Sequence, residues 1–492
     1  MQRSVATLAF VGALVGDLAA TAADTTSENL AKYHRLRDRL VTEFTVVGAG
    51  QGESQPCPER MDNIGLMKWG DGTIALGFYL GVLATEHFML SHPNRYPGAE
   101  GGDPDRLTRT RDELYHALLA LDRLDDQADL AFPTPCSQAP SRNGFFLRDD
   151  VPENFHTHFP GISTIQSDFI DPTLTNKEES QDQVYHVQHG LALVVALVPD
   201  GVTVQGKALR GWAIEQATRI TQHFAKGDWI IRNPACGGRA VNRGENAIGF
   251  SYGETLAAAY VTDGAFAPTT ASLWSTIWNT LRSTSNPTYN DEDNLHMALS
   301  IMAVGDGYGL ETAQVLAELS ATQDWPLYPA MHRVLHPDND GFCATSPGIN
   351  PRIREMLDEL PADGEPACPG PAGPAPHGFT THNRFIRGKS QAYVGPNGCE
   401  GIRYHGLDYM LLHNLYAIAT PLTWNGDPDA DPCAALPPDP EPGDDAGPGQ
   451  GGDAGPGGDP DDPAAAGGCC AAGGEPSSLL WALGWLLIRR RR

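Results

Sequence analysis

The sequence predicts an all-α protein: an (α/α)6 toroid of about twelve helices, followed by a disordered acidic stalk and a short C-terminal hydrophobic anchor. Three observations predict it. Apolar residues recur at i, i+3 and i+4 through the middle of the chain, while alternating strand patterns are poor. Every second helix opens on a dense polar or aromatic cluster and has a more apolar body. A long Pro-, Gly- and Asp-rich stretch then separates this helical part from the terminal residues.

The chain begins with an export signal over residues 1–22: Arg3, an apolar run from Val5 to Val15, and the small-x-small site Ala20-Thr21-Ala22. The toroid domain follows over 23–425. Its helices are expected near 26–45, 71–90, 106–127, 178–197, 205–226, 250–262, 269–284, 291–304, 309–321, 325–334, 350–359 and 404–419. Residues Ile74 to Leu83 are apolar nearly all round, as are Leu191 to Val198, which marks helices enclosed on every side. The helix at 106–127 instead carries a charged, wet face. In a toroid the enclosed helices are the inner ones, and their starts ring one mouth.

The starts of the even-numbered helices read Trp69-Gly70-Asp71-Gly72, Ser180-Gln181-Asp182-Gln183, Ser251-Tyr252-Gly253-Glu254, Asp291-Glu292-Asp293-Asn294, Gln323-Asp324-Trp325-Pro326 and Tyr404-His405-Gly406-Leu407-Asp408. Capping explains the Ser and Asp residues, because free N–H groups and the helix dipole favour oxygen and negative charge there. It does not explain the neighbouring aromatics. Aromatic faces beside carboxylates suit a sugar ring, which has apolar faces and a polar rim. Asp149, in the loop Gly144 to Asp150, is a further acid expected over a cavity mouth, with a surface turn as the alternative. Asp182, His186 and His189 share a helical face. A core histidine bonded to Asp182 is the simpler reading than a metal site.

No metal or other cofactor is expected; a structural calcium at Asp338-Asn339-Asp340-Gly341 is the alternative to a plain turn there. A Walker loop of the form Gly-x-x-x-x-Gly-Lys-Ser/Thr is absent. The formal net charge of -27 argues against nucleic acid as a partner. Eleven acidic residues and no Lys or Arg fall in the linker 426–468, which cannot bury enough apolar surface to fold. Seven cysteines precede the tail, an odd number, so at least one lacks an intrachain partner; Cys343 with Cys368 and Cys399 with Cys433 are the expected pairs.

Residues 469–492 carry Cys469 and Cys470, an apolar run from Leu479 to Ile488 and Arg489 to Arg492. This layout resembles the MYXO-CTERM sorting tag of myxobacterial surface proteins. The resemblance implies export and sorting machinery as partners, tail removal, lipid attachment at Cys469 or Cys470, membrane association through the tag and display at the outer cell surface. The segments Ser180 to Gly190 and Gly401 to Tyr416 resemble the broad group of (α/α)6 glycoside hydrolases and polysaccharide lyases. The expected function is therefore a surface-anchored enzyme that cleaves a glycosidic bond in a polysaccharide. The catalytic candidates are Asp71, Asp149, Glu254, Asp291 and Asp293, with Tyr404 and His405 for lyase chemistry. Trp69, Tyr252, Trp325, Gln183 and Asp408 are the substrate-binding candidates. The alternatives are a non-catalytic glycan-binding protein and a structural envelope protein whose mouth is plugged by Pro361 to Asn397.

Overall fold

The computed structural model describes residues 27–93, 96, 104–132, 142–171, 177–226, 231–234, 254, 257–264, 266, 299–305, 326–337, 349–366, 379 and 401–420, all within the unit Met1–Ala435. These residues are mostly helical, with a small sheet. The helices are α1 (27–39, running into a π-helical turn at Leu40–Phe44), α2 (Gly72–Ser91), α3 (Pro104–Ala131) and α4 (Gln181–Leu197). They continue with α5 (Leu209–Lys226), α6 (Leu327–Leu335), α7 (Ile349–Glu359) and α8 (Leu407–Ala419). Shorter helical stretches lie at 257–261 and 299–304. Predicted helices at 269–284 and 309–321, and the stalk and tail with Cys469 and Cys470, lie outside the described residues.

Burial separates the helices into two kinds. The α2 and α8 helices are buried almost all round, and α4 nearly so. In α5, Leu209, Trp212, Ala213, Gln216, Ala217, Ile220, Thr221 and Phe224 form one buried stripe at helical spacing. The α3 helix buries Leu114, Ala117, Leu118, Leu121, Leu124 and Ala128 in the same way, with Asp105, Arg109 and Asp112 exposed. By length and composition α2 could cross a membrane, but 94% of that stretch is enclosed by protein.

The three enclosed helices run in one direction. Gly70 meets Gln183, Gly77 meets His186 and Gly190, and Gly81 meets Leu193 along α2 and α4. Gly81 also meets Leu411 and Thr85 meets Asn414, so α8 advances with α2. The α8 helix also packs on α6 and α7. At the start of α4, the Ser180 backbone N–H donates to Gln183 Oε1 at 3.2 Å, half of a capping box.

Polar pairs bind the layers. Glu86 of α2 accepts from Arg37 Nε at 3.1 Å, Thr110 Oγ1 at 2.6 Å and the Tyr33 hydroxyl, which joins α1, α2 and α3. Asp122 of α3 accepts from Trp212 Nε1 at 2.9 Å, Gln216 Nε2 at 2.7 Å and Arg219 at 2.6 Å, which fixes α5 against α3.

A four-stranded sheet of order β3-β2-β1-β6 was not expected from the sequence. It comprises β1 (Glu59–Met61), β2 (Leu66–Lys68), β3 (Thr164–Gln166) and β6 (Ile402–Arg403); β4 (Thr203–Val204) and β5 (Lys207–Ala208) form a separate hairpin. Strands of two or three residues are too short for period-two alternation to register. The β2 and β3 strands are parallel, with Lys68 opposite Gln166, while β1 is antiparallel to both β2 and β6. Cys57 is a buried free thiol whose Sγ donates to the Glu59 and Lys68 carbonyls at 3.1 and 3.2 Å. The remaining cysteines lie outside the described residues.

Candidate functional site

The parallel pair of strands builds the site. Two residues beyond Lys68 and Gln166, the chains reach Gly70 and Asp168 side by side. A Cβ on Gly70 would stand 3.8 Å from Asp168 Oδ2. The first chain turns into α2 through Asp71, whose carbonyl accepts from Ile74 and Ala75 N–H at 3.1 and 3.2 Å. Between the strand ends lies a cleft of about 100 Å³ lined by Pro58, Glu59, Lys68, Gly70, Asp71, Gln166 and Asp168. Lys68 pairs with Glu59 at 2.8 Å along one wall.

Besides Glu59, which is paired with Lys68, the acids Asp71 and Asp168 share the cleft at the positive end of the α2 dipole, which favours negative charge. Burial pushes the Asp168 carboxyl up from its ordinary value, with the Arg148 guanidinium opposing and Asp171 adding to the rise. A carboxyl raised in this way keeps its proton to a higher pH than an ordinary one, the direction that suits a proton donor. Arg148 is itself fixed by its Nε bond to the Glu178 carbonyl at 2.8 Å.

Asp149 lies directly behind this cleft. It is buried, and its carboxylate accepts from the Ser167 hydroxyl, the Val151 N–H at 3.1 Å and the Asp168 N–H at 3.0 Å. Burial pushes its carboxyl up to about 7 despite those hydrogen bonds. Asp149 therefore holds the turn that presents Asp168; it does not face the cleft lining itself. Asp168 escaped sequence reading because nothing periodic surrounds it. The only local signal was its place just after a short Thr-Ile-Gln run.

The other predicted residues take different positions. Trp69 is fully buried beneath the cleft, edge-on to Phe155, with its indole N–H 3.4 Å from the Gln55 carbonyl; it has no open face for a sugar. Gln183 is buried and donates to the Gly70 carbonyl at 3.2 Å, so it ties the start of α4 to the cleft wall. Glu254 is buried between α4 and α5, where it accepts from Gln188 Nε2 at 2.8 Å and Thr221 Oγ1 at 3.3 Å; burial pushes it up to about 7. Tyr404, His405 and Asp408 come together at the start of α8, all buried. Tyr404 donates to Asp408 Oδ1 at 2.5 Å, and His405 Nδ1 accepts from the Leu407 N–H at 3.0 Å. These bonds lock the helix start. Tyr252, Asp291, Asp293 and Trp325 lie outside the described residues, as does the 338–341 turn considered for calcium. Among the described residues, no group of three or more His, Cys, Asp or Glu side chains has metal-binding geometry.

Buried histidines on and beside α4, α6 and α8 have a consequence for pH. Burial pushes His332, His405 and His413 down to about 3, and it holds His186 and His189 below their ordinary value. The unfolded chain protonates these rings below about pH 6.5, whereas the folded chain resists, so each costs roughly 1.4 kcal/mol per pH unit as pH falls. Asp125, Asp149 and Glu254, raised to about 7, act in the opposite direction over the same range. Asp129, Asp168, Glu179 and Glu365, also raised by burial, add to that offset, so the effect of one ring shows in a variant: His413→Asn should lose less Tm than the parent as pH falls from about 6.5 to about 4. Equal pH dependence in the parent and His413→Asn would contradict the neutral buried ring.

Compared with protein-family models, with curated proteins and with solved structures, this chain matches none.

Proposed function

We propose that this chain is an exported, surface-anchored carbohydrate-active enzyme that cleaves a glycosidic bond at the head of α2, on an (α/α)6 toroid. One observation carries the proposal: Asp71 and Asp168 line one cleft where an enclosed helix begins. In the toroid reading, α2, α4, the stretches at 257–261 and 299–304, α6 and α8 are inner helices, and α1, α3, α5 and α7 are outer ones. The common direction of α2, α4 and α8 supports this, as does the packing of α8 against both α2 and α6, which brings the last inner helix back to the first. Export and anchoring rest on the two termini of the sequence.

In the proposed reaction Asp168 protonates the leaving oxygen, and Asp71 acts as base or nucleophile on the opposite side of the bond. Asp149 positions Asp168 through its backbone. The cleft, about 100 Å³, fits the reacting atoms, and the rest of the polymer would lie outside it. Hydrolysis is favoured over elimination because Tyr404 and His405 are enclosed and engaged with Asp408 and Leu407.

The test is release of reducing ends, with absorbance of unsaturated products, from a panel of polysaccharides. A hydrolase releases ends without the absorbance; a lyase gives both. Asp168→Asn and Asp71→Asn should each lower kcat by roughly 10²–10⁴-fold while the fold survives. Wild-type turnover in both variants would exclude this cleft. No product from any polymer would favour the glycan-binding alternative, which a binding assay on the same polymers then examines.

A further inference from the structure

We infer that Gly70 is the specificity-determining residue of the Asp71–Asp168 cleft: the space left by its missing side chain is where the sugar on the leaving side of the bond is seated. The inference rests on the reading of the two acids given above. It adds the residue that decides which substrates can reach them.

Neither backbone conformation nor packing calls for glycine at this position. Gly70 is not among the glycines with positive φ, so its backbone is open to any L-residue. Apart from its chain neighbours, a Cβ built there meets one atom within 4 Å, Asp168 Oδ2 at 3.8 Å, which is ordinary van der Waals contact. Gly72, two residues on, is the contrast. A Cβ there would stand 2.6 Å from Gln55 Nε2 and 3.0 Å from the Arg148 carbonyl oxygen. Gly72 faces protein, whereas Gly70 faces the cleft that it lines together with Lys68, while Trp69 between them is buried. The backbone around Gly70 is pinned. Trp69 N–H donates to the Gln166 carbonyl at 2.8 Å, Gly72 N–H donates to the Trp69 carbonyl at 2.9 Å, and the Gly70 carbonyl accepts from Gln183 Nε2 at 3.2 Å. A side chain added at 70 therefore keeps its direction and enters the cleft.

The atom that this space faces identifies its occupant. Asp168 is the proton donor of the proposed reaction, so the leaving oxygen lies against its carboxyl, and the sugar that keeps this oxygen continues from there. A methyl group at 70 would touch the same carboxyl from the cleft side and compete for the same place. In a cleft of about 100 Å³ even one methyl takes a large share of the room. Glycine lets the backbone itself form the floor, so that a sugar can approach it closely.

The test compares two substrates on the full chain: the polysaccharide that the parent cleaves best, and the glycosyl fluoride built on the same glycosyl unit, whose leaving group is a single atom. Gly70→Ala should lower kcat/KM for the polysaccharide about 10–100-fold and Gly70→Val further, while the fluoride loses about three-fold or less. Tm of Gly70→Ala should match that of the parent. Equal losses on the two substrates would overturn the assignment of the leaving side. Unaltered polysaccharide cleavage in both variants would overturn the role of Gly70 altogether, and a marked fall in Tm for Gly70→Ala would show that the position is packed and not open. In each of these results Asp168→Asn separates the two readings: if it removes polysaccharide cleavage, the acids stand and only the inference about Gly70 falls. A parent that cleaves no polysaccharide overturns both.

Discussion

Replacing Gly77 with Ala is expected to destabilise the protein by about 3 kcal/mol or more, and Gly77→Val should prevent folding. A Cβ at Gly77 would stand 2.1 Å from the His186 carbonyl oxygen and 2.4 Å from its carbon. On the facing helix, a Cβ at Gly190 would stand 2.3 Å from the Gly77 carbonyl oxygen. Both obstacles are backbone, so no side chain can swing away. The two helices would have to separate, and the layers on either side, α3, α5 and α8, would lose contact with them. Gly190→Ala should behave alike. Gly201, with nothing within 4 Å of its Cβ position, is the control and should accept Ala with little change. Urea unfolding followed by circular dichroism gives the answer. A Gly77→Ala protein within about 0.5 kcal/mol of the parent would show that α2 and α4 do not cross this closely.

Glu86→Ala is the second large effect, expected at about 3–5 kcal/mol. The Glu86 carboxylate is 4% exposed and faces Arg37 and Arg106, with Thr110 and Tyr33 donating to it. Burial would push its carboxyl up, but the Arg37 and Arg106 charges and the hydrogen bonds outweigh burial and hold it down at about 2. Removing it leaves Arg37, itself buried, with only Glu113 at 2.7 Å. The same depressed value fixes the pH dependence. The unfolded carboxyl titrates near about 4.3, so the contribution is complete above that and is lost as pH falls toward about 2. Glu86→Gln should remove this acid-range component from a plot of stability against pH. Equal acid sensitivity in parent and Glu86→Gln would mean that the buried pairing contributes nothing.

The helices were legible because each kind of burial leaves its own pattern. All-round apolarity from Ile74 to Leu83 announced an enclosed helix, and charged residues between apolar ones announced the half-wet α3. The sheet was not legible, since its longest strands have three residues. The site was legible in part. Asp71 stood out as an acid at the start of an apolar helix, and it does line a cleft. Asp149 stood out as one of two adjacent acids in a loop, yet it lies behind the cleft and holds Asp168. Trp69 beside Gly70 and Asp71 reads identically whether the ring faces solvent or the core. Only the packing of Phe155 against it distinguishes the two.

Among the described residues, the sequence by itself determined which segments are helical and that α2 and α4 are enclosed, because the spacing of apolar residues is a local property that hydrophobic burial acts on directly. Which acids share a cleft was decided only in three dimensions. Asp71 and Asp168 are far apart along the chain, and nothing near either one announces the other. A parallel pairing of two three-residue strands brings them together, through hydrogen bonds whose partners are set by the packing of the helices around them.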